Sequence, residues 1–243
     1  MKKNYLLEIA AFSLEGAIAA ARAGAQRIEL CDNAADGGTT PSHGMLVEAR
    51  KRLSIPVFPI IRPRGGNFVY SKAEFACIKE DVLLCKQLGF EGIVVGFLDA
   101  HGNVDTKQLK TVIKLAKPMQ VTFHRAFDRT KKPLKALEEI IACGCTRILT
   151  SGQYPSVFDG KDNVRILIEK AADRIIIMPG SGLNSANVQE IALHTGATEF
   201  HTAARKVYHD KKIFSPKSMN EKLSFTSVDQ KEIKKILLAF KEI

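Results

Sequence analysis

Residues 120–128 read Gln-Val-Thr-Phe-His-Arg-Ala-Phe-Asp. Val121 and Phe123 alternate with Thr122 and His124, the two-residue period of a strand whose faces differ. The run then sets a histidine, an arginine and an aspartate within five positions. Polar, titratable groups do not collect at the end of a buried strand without a partner or a task. Seven further short β-rich runs recur as strand candidates: "YLLEI" (5–9), "RIELC" (27–31), "VFPIIR" (57–62), "GIVVGF" (92–97), "RILTS" (147–151), "RIIIMP" (174–179) and "TEFH" (198–201).

Amphipathic segments lie between them, at 13–24, 44–53, 71–88, 105–116, 132–143, 160–171 and 184–193. An eighth covers 228–242, where Ile233, Ile236, Leu237 and Phe240 form a helical stripe. Ser13 before Glu15, and Asn184 after Gly182, read as helix starts. Strands alternating with helices pair in parallel through crossovers. Eight such repeats in 243 residues predict an α/β fold of (β/α)8 TIM-barrel type, a single domain over 1–243. An open doubly wound sheet is the alternative, and no Gly-x-Gly-x-x-Gly turn follows the first strand to support it. Residues 206–227 lack periodicity and read as a loop over the barrel mouth, an arm toward a partner subunit, or a partly disordered segment.

The composition is that of a globular protein, 45% apolar and 26% charged. No apolar run approaches the roughly 18 residues that span a bilayer. Two lysines precede the Ala-rich N-terminal stretch as in a signal peptide, but Glu8, Glu15 and Arg22 interrupt it. The expectation is a cytoplasmic protein without a membrane partner. The net charge is +10, and residues 205–243 hold ten Lys/Arg against five Asp/Glu. Tryptophan is absent and the lysines alternate with acids, so a solvated basic surface is expected, with no nucleic-acid partner. The five cysteines at 31, 77, 85, 143 and 145 are expected to be reduced thiols, and Cys143-Gly-Cys145 is weak evidence for a metal.

In a barrel, functional side chains project from the C-terminal ends of strands. The polar residues gather there: Glu8, Glu29 and Cys31, Arg62, His124 with Arg125, and Glu199 with His201. Glu29 and Cys31 lie two apart and share a face, as do Thr122 and His124, and Glu199 and His201. Glu8, Glu29, Arg62, His124, Arg125 and His201 are therefore the catalytic candidates. The ordinary alternative makes Glu29–Arg62 a structural ion pair and His124 a satisfied core imidazole. Gly180, Gly182 and Arg205, in the loops after the seventh and eighth strands, suit a phosphate or other small anion. With an anion held there, Glu29 or Glu8 would serve as base, His124 as acid or electrophile, and Arg62 as oxyanion partner. That predicts an isomerase, lyase or hydrolase for a small phosphorylated or carboxylated molecule. The second chemistry is metal: Cys31, His124 and His201 offer one thiolate and two imidazoles, suited to Cu(I) or zinc.

"RIELCDNAADGGTTPSHG", "PVFPIIRPRGGNFVYS", "GIVVGFLDAHGNVD", "VTFHRAFD", "RILTSG", "IMPGSGL" and "TEFHTAAR" together resemble the CutC family of copper homeostasis proteins. The likeness runs from about residue 5 to residue 205. It implies a cytosolic (β/α)8 barrel, a homo-oligomer (dimer or tetramer), and copper binding, trafficking or tolerance. It also implies cysteines at two motifs. Cys31 stands at the second, but Ala10 occupies the first, which leaves His124, His201 or Met178 to complete a copper site.

Overall fold

A computed structural model describes residues 4–209, 214, 216–220 and 223–243. Among the described residues, eight parallel strands alternate with eight α-helices. The strands are β1 (Leu6–Ala11), β2 (Arg27–Leu30), β3 (Val57–Pro59), β4 (Gly92–Val95), β5 (Gln120–Phe123), β6 (Arg147–Thr150), β7 (Ile176–Pro179) and β8 (Glu199–Thr202). The helices are α1 (Leu14–Ala23), α2 (His43–Arg52), α3 (Lys72–Gln87), α4 (Thr106–Ala116), α5 (Pro133–Cys143), α6 (Lys161–Ala171), α7 (Val188–Thr195) and α8 (Gln230–Lys241). All eight sequence-predicted strands are present, and the architecture is the (β/α)8 barrel expected.

Hydrogen bonding runs in the order β3-β2-β1-β8 and, separately, β4-β5-β6-β7. A bridge between Ile60 and Val94 joins the two halves on one side, where Ile61 donates to the Val94 carbonyl at 2.8 Å. On the other side β7 meets β8 at Gly180, where any Cβ would approach His201 Cβ to 3.1 Å. Glycine allows that seam to close.

Strand parity divides the interior into two compartments. Leu7, Ile9, Ile28, Leu30, Ile148 and Phe200 join the large apolar layer between strands and helices. A small separate cluster of Cys31, Phe58, Ile60 and Val94 belongs to the other face, inside the ring. Buried charge keeps it company there: Glu8, Arg27, Glu29, Arg147 and His201 are all at most 8% exposed.

Two expectations change at the ends of elements. The turn at Asn184 is not yet helix; α7 begins at Val188, because the Asn184 side chain caps the Ala186 N–H in a tight turn. Part of the aperiodic segment is regular, since β9 (Arg205–His209) pairs antiparallel with β10 (Ser224–Val228). Tyr208 stacks on Phe225 at 5.6 Å between them. Residues 210–213, 215 and 221–222, within the same segment, lie outside the described residues.

Candidate active site

The charged interior is layered. Arg27 starts β2, Arg147 starts β6 and Glu199 starts β8, so their side chains form a floor. Arg27 Nη2 and Arg147 Nε each reach Glu199 Oε2 at 2.6 Å. Both guanidinium groups lie against Phe58, 5.2 and 5.5 Å from its ring centre. Arg27 also pairs with Glu8 and reaches Met178 Sδ at 3.2 Å. The expectation that Glu199 stands beside His201 at the mouth therefore needs correction. A two-residue step along β8 keeps the face but moves one layer along the barrel axis.

Glu8 links floor to mouth. One carboxylate oxygen holds Arg27 and the other accepts from His201 Nδ1 at 2.8 Å. Burial would raise Glu8, but Arg27 and the His201 hydrogen bond outweigh it and hold the group at about 2. An ionised carboxylate only accepts, so Nδ1 of His201 carries a hydrogen. The other ring nitrogen, Nε2, faces Glu29 Oε2 at 3.7 Å. Burial raises Glu29, an effect the charge of His201 only partly offsets. Burial would lower His201, but the bond to Glu8 and the charge of Glu29 leave it raised. The two groups thus share proton affinity at one spot.

Across the mouth stands a second wall. His124 Nδ1 accepts the Ala126 N–H at 3.1 Å, which puts the ring hydrogen on Nε2. Burial and the nearby Arg62 charge push His124 down to about 3, so the ring is a neutral donor. Phe68 packs on it at 4.8 Å and also carries the Arg62 guanidinium at 4.9 Å. Among the described residues, three buried side-chain polar atoms find no hydrogen-bond partner: Arg62 Nε, His124 Nε2 and the Tyr70 hydroxyl.

Arg62 does not pair with Glu29, contrary to the expected ion pair. Its Nη1 donates to the carbonyls of Asp36 and Gly38 at 2.7 and 2.9 Å, and its Nη2 to Gly66 at 3.0 Å. The guanidinium is committed to the loops after β2 and β3, because three carbonyls converge there.

Glu29, Arg62, His124, Arg125, His201, Gly182 and Arg205 all line one cavity of about 620 Å³. Volumes of roughly 300–1,000 Å³ suit small ligands. Seven candidates thus meet at one opening, with Glu8 directly behind His201. Arg125 is held by Asp128 at 2.7 Å and reaches Ser181 and Ser151. Asp128, absent from the candidate list, also accepts from the Ser151 and Gln153 backbone and from Thr150. Its three-residue spacing from Arg125 was the available signal. Arg205 lies 4.7 Å over the Phe12 ring and reaches the Ala34 carbonyl at 3.5 Å. The turn before α7 offers fewer donors than expected, since Glu232 already accepts from the Ser185 N–H and hydroxyl at 2.7 and 3.1 Å.

The metal candidates fare differently. Cys31 donates its S–H toward Glu29 Oε2 at 3.5 Å. Burial, then the Glu29 charge, pushes its thiol well above the ordinary range, so the thiolate a soft metal needs is disfavoured. Cys31 and His201 approach the same carboxylate, whereas His124 sits on the wall with Arg62 and Phe68. Among the described residues, no group of three or more His, Cys, Asp or Glu side chains is arranged to hold a metal ion. Cys31, His124 and His201 therefore do not come together as one ligand set.

Comparison with known proteins gives the lineage. The CutC family model matches residues 5–206. A family protein CutC from Chromobacterium violaceum is 50% identical over 200 residues, covering 82% of this chain and 81% of that protein. A human protein named copper homeostasis protein cutC homolog is 44% identical over 202 residues, covering 83% of this chain and 74% of its own length. The crystal structure of a CutC chain from Streptococcus agalactiae superposes with a TM-score of 0.78 at 35% identity, over 82% of this chain and 98% of that one. The chain belongs to the CutC family.

Proposed function

We propose that this chain serves copper homeostasis in the cytoplasm, the role carried in the name of its human relative. At the level of the site, its mouth takes a small phosphorylated or carboxylated molecule and offers it acid–base chemistry. One observation supports the site reading: Glu29, Arg62, His124, Arg125, His201 and Arg205 line one ligand-sized cavity. Arg125 and Arg205 supply the positive charge for an anionic group, with Gly180 and Gly182 shaping the loop beside them. A homo-oligomer is part of the same proposal, carried over from the family.

Direct Cu(I) binding is the second reading, favoured by Cys31 and His201 meeting at Glu29 with Met178 on the floor nearby. Anaerobic Cu(I) titration against a competing chelator separates the two. The expected result is no stoichiometric tight site beyond the binding of the exposed Cys77 thiol. A tight site lost in Cys31→Ser and kept in Cys77→Ser would put copper inside the barrel and overturn the small-molecule reading.

A further inference from the structure

The chain between Arg205 and Val228 turns apolar side chains outward. Among the described residues thirteen large apolar side chains are exposed, and five of them, Val207, Phe214, Met219, Leu223 and Phe225, fall in this one segment. Phe214 is 85% exposed, Phe225 58% and Val207 51%. The hairpin's root is fixed: Val228 is buried beside Gly16 of α1, and the Asp229 N–H donates to the Ala204 carbonyl at 2.6 Å. Its backbone is paired between β9 and β10, and the Tyr208 hydroxyl donates to the Val228 carbonyl at 3.0 Å. The exposed apolar groups therefore complete no packing within the chain. Single apolar residues on a surface are ordinary, whereas a cluster marks a place of contact.

Charge selects what the cluster contacts. The segment holds Arg205, Lys206, Lys211, Lys212, Lys217 and Lys222 against only Asp210 and Glu221. Lysines interspersed with phenylalanine, leucine and methionine match a surface that is anionic at its face and apolar beneath it. Other occupants match less well. A second copy brings its own net charge of +10 against a basic hairpin, so an interface between copies is better placed elsewhere. Single-stranded nucleic acid stacks on aromatic faces. Tyr208 and Phe225 turn those faces on each other, at 5.6 Å and 15°, and Val207, Met219 and Leu223 have none to offer.

We propose that the β9–β10 hairpin docks on an anionic phospholipid surface, its apolar side chains entering the headgroup layer and its lysines meeting the lipid phosphates. The expectation of no membrane partner rested on the lack of a spanning run, and docking on a surface needs none. The residues at the hairpin's two ends, Arg205 and Asp229, border the cavity. A five-residue strand extends only about 17 Å, so a docked hairpin holds the barrel mouth close to the lipid. The proposal stands whether or not the cavity takes a small molecule.

The test uses the full chain, which contains no tryptophan, so Phe214→Trp introduces a single indole reporter. The protein is titrated with vesicles of equal parts phosphatidylcholine and phosphatidylglycerol, and with vesicles of phosphatidylcholine alone. The expected result is a blue shift of the emission, and co-sedimentation, with the anionic vesicles only. On the unsubstituted background, Lys206→Glu/Lys212→Glu and Met219→Ser/Leu223→Ser should each weaken co-sedimentation about tenfold or more, with thermal unfolding unchanged. No binding to either vesicle, or equal binding to both, overturns the proposal. Binding undiminished in both double variants overturns it too, by placing the lipid contact elsewhere. Emission that is blue-shifted without lipid and moves red on dilution gives the hairpin to a second copy. A larger response to polyuridylate than to anionic vesicles gives it to nucleic acid, and either result overturns the lipid assignment.

Discussion

Arg62 shows how far a residue's chemistry exceeds its position. Strand parity aims both Glu29 and Arg62 inward, and the sequence suggested a pair. The pairing fails because parity assigns a face but no depth and no competing acceptors. Three carbonyls, of Asp36, Gly38 and Gly66, claim the guanidinium instead. Arg62→Ala is expected to cost about 3 kcal/mol in urea unfolding, since buried acceptors lose a charged donor. Arg62→Ala and Glu29→Gln should be additive within about 0.5 kcal/mol; a larger coupling would restore the ion pair. His124 gives a pH prediction. The ordinary histidine value is 6.5, and the folded protein holds His124 at about 3. Between those values the unfolded chain binds a proton that the folded chain refuses. Stability from this residue is complete above pH 6.5 and declines as pH falls toward 3. Its slope is at most about 1.4 kcal/mol per pH unit. His201 acts oppositely, because its raised affinity stabilises at low pH and is lost as pH climbs. Denaturant unfolding from pH 7 to pH 5 should therefore be flatter in His124→Gln than in the parent (chosen because Gln keeps an N–H donor). Equal slopes would mean that His124 is charged in the folded state.

At the scale of elements, the strands were legible and their mutual packing was not. Each strand announced itself as a β-rich run between amphipathic helices, and the observed limits differ from the sequence reading by a few residues. The floor of Arg27, Arg147 and Glu199 was invisible, because its members lie on three strands far apart in the chain and meet only after closure. Gly96, after β4, was equally silent. A Cβ there would overlap the His124 ring and crowd Ala126 Cβ at 2.8 Å. The end of β4 is thus shaped to leave room for an imidazole projecting from β5. Gly96→Ala should cost about 1–3 kcal/mol by overpacking and turn His124 away from the cavity. Thermal unfolding gives the first number and the His124 ring resonances the second. An unchanged ring environment would show that the imidazole does not need the glycine. At Gly182 the backbone φ is +75°, so the β7 turn needs glycine for its dihedral as the sequence suggested.

For the whole molecule the decisive step is closure of the ring, and the part of the chain beyond the family match completes it. The match ends at residue 206, whereas α8 runs from Gln230 to Lys241. Ile233 and Ile236 on that helix are fully buried and Phe240 is 7% exposed. Phe240 stacks on Tyr5 and packs tilted against Phe200, both at 4.9 Å, so the last helix seals the first and eighth strands together. Glu232 ties the same helix to Ser185 before α7, and Gln189 of α7 donates to the Ala239 carbonyl at 3.0 Å. Full burial of each large apolar side chain contributes about 1.5–3 kcal/mol. Three of them therefore rival the roughly 5–15 kcal/mol by which a whole domain is stable. A chain cut after Lys206 should lose cooperative unfolding and expose the apolar strip around Phe200. Loss of the near-UV circular dichroism signal and binding of a hydrophobic dye would register this outcome. Phe240→Ala offers a milder version, expected to cost about 3–5 kcal/mol without removing the helix. A truncated chain that melted in one sharp transition near the full-length temperature would show that seven helices suffice to hold the ring, and that α8 covers a barrel already closed.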